Sequence, residues 1–191
     1  MNFEEKTDEE LVSLVLKDAD IFLYLLRRYE EKLRRYIARI SNLSRDELED
    51  VLQDVFIKVY KNLNAFDTSL KFSSWIYRIT HNEVISNFRK YKNKATIISF
   101  DSDGAFIKNI ADDLDIEKQF KLEDLKNEVT LIFAEMDLKY REVLILRFLE
   151  EKSYTEISDI LKKPEGTVAT LLNRAKKQFL KILKESPNNY N

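Results

Sequence analysis

Apolar residues at Phe22, Leu25, Leu26, Tyr29, Leu33, Tyr36, Ile37 and Ile40 recur in steps of three and four, which places them along one face of a long helix. A shorter helix is predicted before it. Thr7 with Glu10 three residues on reads as a capping box, and Leu11, Leu14 and Val15 supply its apolar stripe. The same signal, Ser44 followed by Glu47, opens a third helix with buried positions at Leu48, Val51, Leu52, Val55, Phe56 and Val59. From Asn62 to Leu70 the periodicity is broken by Asn, Asp and Ser, whose side chains compete for the backbone in turns. Helix resumes near Lys71 and runs to about Lys92. Between Asn93 and Asp113 there is no helical stripe, and the pattern returns at Leu125, Val129, Ile132 and Phe133, then at Val143, Leu144, Leu146, Arg147 and Phe148. Two helices close the chain, Ser153 to Lys163 and Thr167 to Lys184, around a break at Pro164-Glu165-Gly166. Pro164 suits the first turn of the second, where its missing N–H has no partner to lose. The pair reads as a helix-turn-helix.

Composition agrees with helices. Gly and Pro number two each in 191 residues, too few for the turns that sheets require. The predicted fold is all-α: two small helical domains, residues 1–94 and 128–187, joined by a flexible acidic linker over 95–127. Nine acidic residues face four lysines between Asp101 and Glu128. Over the whole chain 32 Lys and Arg meet 34 Asp and Glu, so attraction to nucleic acid must come from segregated patches. The absence of cysteine excludes disulfides, thiolate metal sites and thiol nucleophiles, and the single His81 cannot build a multi-histidine site. Phosphate-cradling glycines are also missing, so neither an enzyme nor a cofactor is expected. Met1 to Glu10 carries five acids, and no uncharged run approaches the ~20 residues that span a bilayer. The expectation is a soluble, cytoplasmic protein without membrane insertion.

Two segments carry candidate chemistry. In the last helix Val168, Leu172, Ala175 and Phe179 point one way, and Thr167, Thr170, Asn173, Arg174, Lys176 and Lys177 the other, suited to base edges and phosphates of a major groove. Read alone, this basic face equally fits a solvated side of an ordinary helical hairpin. The second segment, Phe72 to Lys94, interleaves aromatics with Arg78, Arg89, Lys90, Lys92 and Lys94 against a single acid, Glu83. That mixture fits phosphate contacts beside stacking platforms for unstacked bases. Phe72, Trp75, Ile76 and Ile79 also make a normal core stripe.

Taken together, these residues resemble the extracytoplasmic-function group of bacterial sigma factors. Glu49 to Tyr60 and Phe72 to Asn82 resemble the family's second conserved region; Tyr140 to Arg147, Ser153 to Ile157 and Gly166-Thr167-Val168 resemble its fourth. The resemblance implies that Asp50, Gln53 and Asp54 dock on a coiled coil of the largest subunit of core RNA polymerase. It implies that the loop Asn64, Ala65, Phe66 and Asp67 takes a flipped-out base of the promoter's minus-ten element. Trp75, Tyr77, Arg78 and Asn82 would open and hold the non-template strand, with Trp75 at least partly core. The helix carrying Thr167, Thr170, Asn173, Arg174, Lys176 and Lys177 would read minus-thirty-five DNA as duplex. The acidic linker and the apolar surfaces of both domains suggest an anti-sigma protein as a further partner. The alternative is a stand-alone helix-turn-helix regulator that binds duplex DNA without polymerase.

Two departures from the family pattern stand out. Lys162 and Lys163 replace the usual turn glycine and apolar residue, and a left-handed backbone there costs a lysine ~1 kcal/mol, so an altered turn is expected. Ala169-Thr170-Leu171 replaces Lys-Ser-Arg, which removes two charges from the duplex-facing side. Each phosphate contact adds about −0.9 to the logarithmic salt slope, so weaker and less salt-sensitive duplex binding follows.

Overall fold

The computed structural model describes residues 3–41, 43–90 and 122–185, and among them every regular element is helical. The chain divides into two compact units, the first built on Met1–Lys94 and the second on most of the residues after it.

In the first unit, α1 (Asp8–Val15) starts with the expected capping box: Glu10 N–H donates to Thr7 Oγ1 at 3.2 Å, and Thr7 N–H donates to Glu10 Oε2 at 2.8 Å. That second bond holds the Glu10 carboxyl below its ordinary range. The buried residues of α1 are Leu11, Val12 and Val15; Leu14 is only half-buried, so the stripe is turned by one residue from the predicted one. A 3-10 turn, Ala19–Ile21, leads into α2 (Phe22–Ile40), which buries Leu25, Tyr29, Leu33, Tyr36, Ile37 and Ile40. Ser44 and Glu47 form the second capping box, and α3 (Arg45–Asn62) buries all six of its predicted positions. Another 3-10 turn, Leu63–Ala65, passes the chain to α4 (Phe72–Lys90). α2 packs on α1, α3 and α4, and α3 packs on α4. Each large apolar side chain so enclosed contributes about 1.5–3 kcal/mol. Tyr91, Lys92 and the predicted linker as far as residue 121 lie outside the described residues.

Among the described residues of the second unit the first element is α5 (Leu122–Glu135). α6 (Leu138–Leu144) follows and runs into a π-helical turn, Ile145–Leu149. There Glu150 N–H reaches back five residues to Ile145 O at 3.0 Å. Val143 to Leu146 are all buried while Arg147 is exposed. α7 (Tyr154–Leu161) has a third capping box, Ser153 with Glu156. α8 (Glu165–Glu185) packs on α5 and α6 through Val168, Leu172, Ala175, Phe179 and Leu183, with Phe133 set edge-on to Phe179 at 5.9 Å. Pro164 sits just before α8 and not within its first turn: its carbonyl accepts from Thr167 and Val168 N–H at 2.8 and 3.0 Å.

The turn between α7 and α8 keeps the backbone shape that a glycine would give. Lys162 lies in the left-handed region at φ 52° and ψ 48°. It is held there by hydrogen bonds: Lys162 and Lys163 N–H both return to Ser158 O, and Ser158 Oγ donates to Lys163 O at 2.6 Å. The expected altered turn is therefore absent, and the lysine carries the strain. Lys162→Gly is predicted to stabilise the second unit by about 1 kcal/mol, measured as a raised midpoint in chemical denaturation.

Candidate nucleic-acid and polymerase interfaces

Because α3 commits one face to the core, its polar residues have one place to go. Asp50, Gln53 and Asp54 are all exposed, at i, i+3 and i+4 on the outer side. Ile57 continues that side one turn on and is 43% exposed, an apolar residue that the buried stripe leaves out. Pattern reading passed over it, although its position between Phe56 and Val59, off the stripe, marks it.

The connection from α3 to α4 is built on aromatic packing. Phe66 is buried, 5.5 Å edge-on to Phe72 and 5.1 Å from Trp75; Phe72 also meets Trp75 at 5.6 Å and Tyr29 at 5.5 Å. Asn64, Ala65 and Asp67 on either side of Phe66 are exposed. Asp67 shapes the turn: its Oδ1 accepts from Ser69 N–H at 2.9 Å and its carbonyl from Leu70 N–H at 3.0 Å, and the Ser69 contact holds its carboxyl low. On α4, Trp75 and Arg78 are half-exposed and Asn82 is exposed, at i, i+3 and i+7. Tyr77 is 2% exposed and packs on Tyr36 at 5.1 Å.

Phe66 and Tyr77 face inward, because enclosing an aromatic ring outweighs presenting it to solvent. Trp75, Arg78, Asn82, Asn64, Ala65 and Asp67 remain outward. Beneath them Glu83, the lone acid of the basic segment, is buried and ion-paired with Lys58 of α3, while Asn87 Nδ2 donates to Glu83 O at 3.1 Å. Pairing removes its charge from the outer side of α4.

In α8, Thr167, Thr170, Asn173, Arg174 and Lys177 are exposed. Thr170 Oγ1 donates back to Gly166 O at 2.9 Å. Lys176 is half-buried, its ammonium 5.8 Å from the centre of the Phe148 ring, so it is less free than its neighbours. Leu171 is half-buried as well. Gly166 is exposed, and a Cβ added there would meet nothing within 4 Å, so packing inside the domain does not demand glycine.

Packed against α8, α6 carries two adjacent buried ionisable side chains, Arg141 and Glu142. Arg141 Nη1 donates to Phe133 O at 3.2 Å, while Arg141 Nε and Glu142 Oε1 find no protein partner. Burial pushes the Glu142 carboxyl up to about 7, against the pull of Arg141 and Lys163, and burial lowers the Arg141 guanidinium. Among the described residues no group of His, Asp and Glu is placed to hold a metal ion, and no helix is long and apolar enough to cross a membrane.

Two separate family profiles fit this geometry. Residues 25–94 match sigma-70 region 2, and residues 126–179 match sigma-70 region 4. The chain therefore belongs to the sigma-70 class of transcription initiation factors, which act with RNA polymerase and bind DNA without catalysis of their own. Within that class it is a member of the extracytoplasmic-function sigma factors. It is 31% identical over 173 residues to the ECF RNA polymerase sigma factor SigW of Bacillus subtilis, spanning 88% of this chain and 91% of the relative. It is likewise 31% identical over 182 residues to the ECF RNA polymerase sigma-E factor of Escherichia coli K12, spanning 91% and 92%. Among solved structures it matches CnrH in complex with the cytosolic domain of CnrY, with a TM-score of 0.68 at 20% identity over 95% of this chain and 99% of that one. It also matches the sigma factor RpoE in complex with the anti-sigma factor NepR from Bartonella quintana, with a TM-score of 0.65 at 20% identity over 85% and 96%. These two likenesses concern the fold.

The raised Glu142 carboxyl gives a pH dependence of definite sign. Between its ordinary 4.5 and about 7 the folded unit holds a proton that the unfolded chain has released, so stability falls as pH rises through that window. Glu142→Gln is predicted to flatten this part of the curve by on the order of 1–3 kcal/mol, read from denaturation midpoints of both proteins at pH 5 and pH 8.

Proposed function

We propose that this sigma factor docks on core RNA polymerase through Asp50, Gln53 and Asp54 of α3 and reads its promoter at two places. The observation that carries the docking is a polar row standing outward from a helix whose other side is wholly committed to the core. The minus-ten element is read as a melted strand. Asn64, Ala65 and Asp67 receive an unstacked base, and Trp75, Arg78 and Asn82 hold the strand beside it, with Phe66 and Tyr77 as the rigid floor. Unstacking costs a few kcal/mol, and stacking on protein aromatics returns about 1–3 kcal/mol per base. The partial exposure of Trp75 and the inward pairing of Glu83 support this reading.

The minus-thirty-five element is read as duplex by α8. Thr167, Thr170, Asn173, Arg174 and Lys177 face the groove, and Lys176 contributes from its edge. Bare backbone at Gly166 lets a phosphate approach the start of the helix. With Ala169 and Leu171 offering no charge, this grip is weak by itself and draws its strength from the polymerase. An anti-sigma protein regulates the factor by covering these surfaces; the similarly folded sigma factor RpoE, solved in complex with the anti-sigma factor NepR, supports that class of partner. The site of action is the bacterial cytoplasm, where polymerase resides.

Run-off transcription with purified core polymerase and a genomic promoter library tests the proposal: transcripts sharing one minus-ten and one minus-thirty-five sequence are expected, and unselective or absent transcription contradicts it. Replacing Asp50 and Gln53 together by Ala is predicted to weaken core binding about tenfold in a fluorescence titration while leaving the fold intact. Asn173→Ala with Arg174→Ala is predicted to cost about 1–3 kcal/mol in discrimination at the upstream element, with minus-ten use unchanged.

A further inference from the structure

The residue before α4 is Lys71, whose ammonium cannot accept a hydrogen bond, and the first N–H of the helix is satisfied from α1: Phe72 N–H donates to Glu9 Oε1 at 2.8 Å. Glu9 lies in the first turn of α1, far away in sequence. A carboxylate at this place serves α4 twice, by accepting an orphan amide and by facing the positive end of the helix dipole.

The neighbouring acid grips the same cluster from its other end. Asp8 Oδ1 accepts from Arg28 Nη1 at 2.6 Å, and Asp8 Oδ2 accepts from the Tyr29 hydroxyl. The Tyr29 ring is edge-on to Phe72, which in turn meets Phe66 and Trp75. Arg28 also donates to the carbonyl of Lys6 at 2.9 Å and to that of Glu4 at 3.2 Å, so the segment before α1 is tied down with it. Two adjacent carboxylates thus fix the aromatic floor on which the exposed Asn64, Ala65 and Asp67 stand.

We propose that Glu9 is a positioning residue for minus-ten recognition: by accepting the first amide of α4 it sets where Phe72 and Trp75 stand, and so how the 64–67 loop meets the melted strand. The inference rests on the assignment of that loop in the proposed function. It makes the start of α1, which no DNA contact requires, a determinant of promoter selectivity.

The test uses the full chain with core polymerase on a promoter recovered from the run-off library, and on the same promoter with its minus-ten element substituted. 2-Aminopurine in the minus-ten element reports opening. Glu9→Ala is expected to lower the ratio of opening on the two promoters about tenfold with core affinity unchanged, while Glu9→Gln, whose side-chain carbonyl still accepts the amide, keeps the ratio within about threefold of the parent. Val15→Ala, a cavity at the far end of α1, serves as the control for lost stability and is expected to keep the ratio. Should Glu9→Ala not fold, Glu9→Asp, one methylene too short, takes its place. An unchanged ratio in that variant, or an equal fall in Val15→Ala, overturns the inference. A parent protein that opens neither promoter overturns the loop assignment itself, and the role of Glu9 with it.

Discussion

Six apolar side chains on one side of α3 decide what the N-terminal unit can show to a partner. Leu48, Val51, Leu52, Val55, Phe56 and Val59 are all enclosed, so rotating the helix about its axis would expose them and bury Asp50, Gln53 and Asp54. Burying the carboxylates of Asp50 and Asp54 unpaired costs several kcal/mol each, which pins the helix in one rotation. The outward polar row of α3 is therefore a by-product of core formation. Lys58, on the same helix, reaches Glu83 and so ties α3 to α4, the helix that carries Trp75, Arg78 and Asn82.

How far the sequence foretold this depends on the range of the interaction. Capping boxes are local, and those at Thr7 and Ser44 are present as expected; the one at Ser153 has the same signature, with Glu156 three residues on. The stripe of α3 is likewise local and complete. Orientation of Phe66 and Tyr77 was not legible, because it depends on Tyr29, Phe72 and Tyr36, which come together only in the folded unit. The clasp of Glu9 on Phe72 is hidden for the same reason. At Ile145–Leu149 the period itself changes, so a search for three-to-four spacing misplaces Arg147 and Phe148. The turn at Lys162 shows a third cause. The residue type argued for a new backbone shape, but hydrogen bonds to Ser158 outweigh a conformational cost of ~1 kcal/mol.

A near-neutral chain gains DNA-binding surfaces only by sorting its charges. The basic segment of α4 contains one acid, and that acid is turned inward and paired. α8 presents Arg174 and Lys177 but holds Lys176 against Phe148 and offers Ala169 and Leu171 where charge is usual in the family. On the proposed reading, the two units therefore grip DNA weakly when free, and a polymerase that holds both at once raises their effective concentration on the promoter.

Footprinting on a promoter fragment at physiological salt tests that dependence most directly, with the chain alone and with the chain plus core polymerase at equal concentrations. The account predicts no protection by the chain alone, and protection of both promoter elements once core enzyme is present. Full protection of a duplex site by the chain without polymerase would contradict it.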